Sequence, residues 1–151
     1  MQMNNTERSL WHNQRITLDD DIDLSGTKPF KASFNGKIFT FTRQQGWKKL
    51  YETIVKELYR INSEILAECA AMQIEFFISD EPVCWGHWDF GNDSNPNCER
   101  FAENYEEDWW TEIAENIFLY TKNRTARKIE NLRQLFDAYK LHYSTLTIVL
   151  Y

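Results

Sequence analysis

A chain of 151 residues with a formal net charge of -6 is long enough to bury one hydrophobic core, and too acidic overall for a stand-alone, high-affinity DNA binder. Its 42% hydrophobic and 15% aromatic residues, with only five Gly and three Pro, exclude a disordered chain. No apolar run approaches the roughly 20 residues of a membrane span, and the start "MQMNNTERSLWHNQRITLDDD" lacks the basic-then-apolar layout of a signal peptide, so a cytoplasmic location with no membrane partner is expected. Cys69, Cys84 and Cys98 cannot all pair within one chain, which fits free thiols in a reducing compartment.

Residues 1–28 are polar, carry the acidic run Asp19, Asp20, Asp21 and Asp23, and show no sustained period. They read as a partly ordered arm, with residues 29–151 forming a single α+β domain. In "KPFKASFNGKIFTFT" the apolar positions Phe34, Ile38 or Phe39, and Phe41 flank "NG", a dipeptide suited to tight turns. This predicts a β-hairpin from about Lys31 to Thr42.

"GWKKLYETIVKELYRI" places Trp47, Leu50, Tyr51, Ile54, Val55, Leu58 and Ile61 at helical spacing, which predicts an amphipathic helix. "NSEILAECAAMQIEFF" begins a second helix with Asn62 or Ser63 as its cap and Glu64 and Glu68 exposed, while "QIEFFIS" reads equally well as a strand. The Gly-, Pro- and Asn-rich middle, "DEPVCWGHWDFGNDSNPNCERF", predicts turns. Phe101, Tyr105, Trp109 and Ile113 then predict a short helix with an aromatic stripe.

"NIFLYT" reads as a strand, Ala126, Ile129, Leu132, Phe136 and Tyr139 mark a second principal amphipathic helix, and "STLTIVLY" closes the chain as a strand. This C-terminal strand-helix-strand unit predicts a right-handed crossover if its two strands are parallel and adjacent. No internal repeat or low-complexity tract is found.

Charge supplies the first functional signal. With Thr121 or Asn123 as the helix cap, Lys122, Arg124, Arg127 and Lys128 crowd the helix start, where exposed cations are disfavoured by roughly 0.3 to 1 kcal/mol. Free N–H groups and guanidinium forks there suit phosphate or carboxylate, so these four residues are candidate anion or nucleic-acid contacts. Residues 121–133 carry five cations and one acid, a local sum of +4, whereas residues 99–115 carry seven acids and one cation, a local sum of -6. A plain reading has the two stretches pairing their charges across a solvated surface.

Other constellations are weaker. Cys84 and His87, with Cys98 downstream, have zinc-compatible spacing, but only Asp89 or Asp93 offers a fourth ligand, and core or loop cysteines are the favoured reading. His12, His87 and His142 stand in no motif naming a nucleophile beside a base, and there is no Gly-rich phosphate loop, HExxH, GxSxG or dinucleotide fingerprint. No catalytic residue, metal or cofactor is therefore expected. A hydrolase using His87 and nearby acids is the least favoured function. Trp47 and Trp109 read as core, while Trp85, Trp88 and Trp110 are candidate surface anchors for a protein partner, together with Glu106, Glu107 and Asp108.

Two segments, "FKASFNGKIFTFTRQQGWKKLYETIVKELYRIN" and "NIFLYTKNRTARKIENLRQLFDAYKLHYSTLTIVLY", about half of the chain, carry a further pattern. The first is an aromatic, an "NG" hairpin and a Trp opening a helix; the second is a strand, a small polar turn, a helix and a β-branched strand. Together they resemble the small α+β domain found at the C-termini of DUF262-type and other restriction- and phage-defence-associated bacterial proteins. The resemblance implies an accessory module for recognition or assembly and carries over no catalytic residue. The expected function is thus a non-enzymatic module that meets an acidic partner or nucleic acid through the basic helix start. The competing expectation is a small acidic inhibitor or immunity protein that covers a basic enzyme surface.

Overall fold

Asn35 and Gly36 adopt positive φ of 53° and 74°, the left-handed pair a two-residue hairpin turn requires, and they join β2 (Pro29–Phe34) to β3 (Lys37–Thr40). The structure, a computed structural model, describes residues 14–72, 77–80 and 109–151. The hairpin belongs to an antiparallel sheet of order β1-β7-β2-β3, completed by β1 (Arg15–Thr17) and β7 (Thr147–Leu150). The stretch read as an arm thus supplies an edge strand. Three residues are too few to show a period, and pairing with β7 gives them their ladder.

The chain divides into two compact units, residues 1–57 with 124–151, and residues 58–123. In the first, α1 (Gly46–Ile61), as far as Glu57, and α3 (Thr125–Tyr139) cover one face of the sheet. Phe34 stacks on Phe136 at 5.3 Å, and Asn131 Nδ2 donates to Tyr51 Oη at 3.0 Å, joining sheet to helix and helix to helix. The apolar stripe expected on α1 is buried from Trp47 through Leu58, and the Trp47 indole N–H donates to Thr27 O at 2.9 Å. Ile61, at the helix end, is exposed. Glu57, only 1% exposed, pairs with Lys37 at 2.8 Å and accepts from Asn35 Nδ2 at 3.1 Å, fastening the hairpin turn to α1. Removing such a buried, charge-assisted anchor costs about 1.5–3 kcal/mol per bond lost.

In the second unit, α2 (Ser63–Met72) packs on an antiparallel sheet of order β4-β6-β5, made of Ile78–Ser79, Ile117–Tyr120 and Trp110–Ala114. Asn62 caps α2: its Oδ1 accepts from the N–H groups of Glu64 and Ile65 at 3.0 and 3.2 Å. Leu66, Cys69, Ile78, Trp110 and Leu119 form its core, and burial pushes the Cys69 thiol up. Glu64 and Glu68 are exposed, as expected.

Two sequence expectations are corrected. β6 and β7, on either side of α3, lie in different sheets, so they form no crossover within one sheet. Ile113 lies in β5 and not on a helix, because the stretch from Trp110 pairs antiparallel with β6 through a two-residue turn in which Asn116 takes φ 62°. Phe101 and Tyr105 lie outside the described residues.

Candidate functional site

The start of α3 differs from the cap expected at Thr121 or Asn123: Arg124 is the N-cap, in extended backbone, and gives no side-chain capping bond. Arginine has no acceptor to offer the free N–H groups of the first turn. Arg124 and Arg127 are exposed on this first turn. Lys122, also exposed, belongs to the second unit. Among the described residues, no ion pair engages Lys122, Arg124 or Arg127.

Lys128 departs from its expected role. It is 6% exposed and its ammonium stands 6.0 Å from the centroid of the Tyr51 ring. One turn before Leu132, it shares the buried stripe of the helix, so its charge is directed inward. Burial pushes its amine down to about 8, reinforced by Lys48 and opposed by Glu52. Beside it Asn131 is fully buried, and its Oδ1 has no hydrogen-bond partner.

The exposed cations do not stand alone. A groove of about 500 Å³ runs between the start of α3 and the β1–β2 connection, with Arg124 and Arg133 on one side and Asp20, Asp21 and Asp23 on the other. Ile22, 42% exposed, and Ala126 and Ile129 give it apolar surface. Arg133 fixes its wall: Nε donates to Leu18 O at 2.8 Å, Nη2 to Asp20 O at 3.0 Å, and Nη1 to Glu130 Oε2 at 3.0 Å. Asp20 Oδ2 accepts from the Thr17 N–H at 2.7 Å, and hydrogen bonds from the Ser25 side chain and backbone hold the Asp23 carboxyl below its ordinary range. The groove is therefore lined by both signs of charge over an apolar floor, dimensions that suit a short segment or small ligand.

Asp20, Asp21 and Asp23 stand about a hundred residues before α3, so no local pattern places them against it, and Arg133 belongs to no motif. Of the candidate partner anchors, Trp110 is 5% exposed and packs edge-on against Tyr120 at 5.3 Å, so it serves its own unit's core and not a surface. Trp109, read as core, is half-buried. Trp85, Trp88, Glu106, Glu107 and Asp108 lie outside the described residues, as do Cys84, His87 and Cys98. Among the described residues, no group of three or more His, Cys, Asp or Glu is placed to hold a metal ion, and no helix is long and apolar enough to cross a membrane.

His142 shares a shallow cavity of about 350 Å³ with Ser144 and Asp137, residue types able to form a nucleophile and base. The Asp137 carboxylate is engaged by Tyr143 Oη at 2.8 Å, and no described hydrogen bond links the His142 ring to Ser144 or Asp137. The relay geometry of nucleophile to base to orienting acid is not formed there. No family model, curated protein or solved structure matches this chain.

Proposed function

We propose that the chain is a non-enzymatic recognition module, of the defence-associated kind the sequence patterns resemble, and that its groove at the start of α3 receives a short segment of a protein partner. The observation that carries this reading is the mixed lining: Arg124 and Arg133 face Asp20, Asp21 and Asp23 across exposed Ile22 and Ala126. A polyanion in this groove meets three carboxylates, whereas a peptide with an apolar side chain between charges of both signs meets a complement at each point. Partner binding to the purified chain is expected to be lost in Ala126→Trp, which fills the groove from an exposed helix position, and in Arg124→Glu/Arg127→Glu. Binding unchanged in both variants, with circular dichroism showing them folded, rejects the groove as the site.

A second reading, the small acidic inhibitor, draws on Glu112 and Glu115, both exposed on and beside β5. It predicts a complex with a basic enzyme that survives gel filtration and is lost in Glu112→Lys/Glu115→Lys. Co-elution unaffected by those changes removes it.

A further inference from the structure

The face of the four-stranded sheet turned away from α1 and α3 has its own chemistry. Register places Ile16, Ile148, Ala32 and Phe39 in one row across the strands, and Ile16, Ile148 and Ala32 are 0–4% exposed, so this row faces the helices. The rows on either side of it point the other way, because alternate residues of a strand face opposite sides. One outer row is Arg15, Val149, Lys31 and Thr40; the other is Thr17, Thr147, Ser33 and Ile38. Neither contains an Asp or Glu, in a chain whose net charge is -6. Arg15, Thr40 and Ile38 are exposed, Ile38 at 69%.

Aromatic surface adjoins the cationic row. Tyr151 lies two residues beyond Val149 on the same side, and its N–H donates to Lys28 O at 3.0 Å, continuing the ladder. Phe30, at the irregularity between Pro29 and Lys31, meets the Tyr151 ring edge-on at 5.2 Å and is 37% exposed. The exposed Arg43 guanidinium sits 4.4 Å from the centroid of the Tyr151 ring, and Tyr151 Oη donates to Phe41 O at 2.6 Å, which fixes the ring. Arg15 and Lys31 are two strands apart, about 10 Å at the usual inter-strand spacing. Val149 between them is 5% exposed.

We infer that this outer face binds single-stranded nucleic acid, with Arg15, Lys31 and Arg43 on phosphates, Phe30 as a stacking surface for a base, and the hydroxyl row beside them. Cations interleaved with a fixed aromatic pair, on strand rows that hold no acidic side chain, are the elements a sequence-tolerant single-strand binder uses. A protein surface of acidic character complements the cations but gives no use to the exposed ring. This surface is separate from the α3 groove and does not depend on it. The chain's overall negative charge opposes approach of a polyanion, so affinity in the range of about 1–100 μM at moderate salt is expected.

The test is fluorescence anisotropy of a labelled oligo-dT with the full chain. Three phosphate contacts at a slope of about 0.7 each predict binding about twentyfold weaker at about 200 mM than at about 50 mM salt. Arg15→Glu/Lys31→Glu is expected to weaken binding by at least about tenfold and flatten the salt dependence. Phe30→Ala is expected to weaken it about fivefold or more at the higher salt, where stacking dominates. Arg124→Glu/Arg127→Glu is expected to leave it unchanged. Arg15 and Phe30 are exposed and Lys31 is half-buried, so far-ultraviolet circular dichroism should match the parent. No binding at low salt overturns the proposal. So does loss confined to the Arg124→Glu/Arg127→Glu chain, or equal displacement by poly-glutamate with Phe30→Ala silent, which assigns the face to an acidic protein.

Discussion

Lys122, Arg124, Arg127 and Lys128 stand within seven residues of one another, while Arg15, Lys31 and Arg43 come from a strand at one sheet edge, a central strand and a turn. The clustered set does not act as one: Lys128 turns inward, whereas Arg124 is exposed and faces three aspartates. The scattered set is gathered on or beside one sheet face whose rows hold no acid. Local charge density along a chain is thus a poor guide to charge density on its surface, because strand register and helix phase decide which side chains share a face.

Four substitutions sharpen this contrast. The largest effect is expected at Arg133. Arg133→Ala releases the Leu18 and Asp20 carbonyls and should cost about 2–3 kcal/mol in urea unfolding. It should also loosen the groove wall while leaving oligonucleotide binding on the sheet face intact. A change below about 0.5 kcal/mol, the range of ordinary surface substitutions, would mean that the guanidinium does not hold the β1–β2 connection.

Next is Lys128. Replacing a buried cation by an apolar chain of similar length, Lys128→Met, should stabilise the fold by about 1–2 kcal/mol at neutral pH. The pH dependence gives an independent check. The amine's pKa falls from 10.5 to about 8 in the fold, so between those values the unfolded chain binds more protons than the folded one. Stability of the parent chain should therefore rise as pH increases through about 8, relative to a Lys128→Met chain that lacks this proton. Parallel profiles would place the amine in solvent and return it to the basic surface.

The smallest effect separates the two exposed arginines of α3. Arg127→Glu lies in the first turn and does not line the acidic groove, so it should stabilise by about 0.3–1 kcal/mol at low salt through the helix dipole. Arg124→Glu faces Asp20, Asp21 and Asp23 and should gain nothing or lose slightly. Equal gains in urea unfolding would show that the aspartates are too far or too well solvated to matter.

Much of this architecture was written in the sequence. The helix Gly46–Ile61 buries its apolar stripe from Trp47 to Leu58, "NG" makes its hairpin turn, Asn62 caps α2, and the strand-helix-strand order at the C-terminus is present. Each of these depends on residues within a turn or two, where the 3.6-residue helical repeat, the two-residue strand repeat and capping hydrogen bonds act. The sequence also contained a legible hint about Lys128, whose spacing to Leu132 and Leu135 is that of the buried stripe, though its residue type suggested a surface role. What only the tertiary structure decided was non-local: that Arg15–Thr17 pairs with a strand more than a hundred residues away, that β6 and β7 enter different sheets, and that Asp20, Asp21 and Asp23 close a groove against α3. Those outcomes rest on strand register and on burial shared between distant segments, terms that no window of neighbouring residues contains.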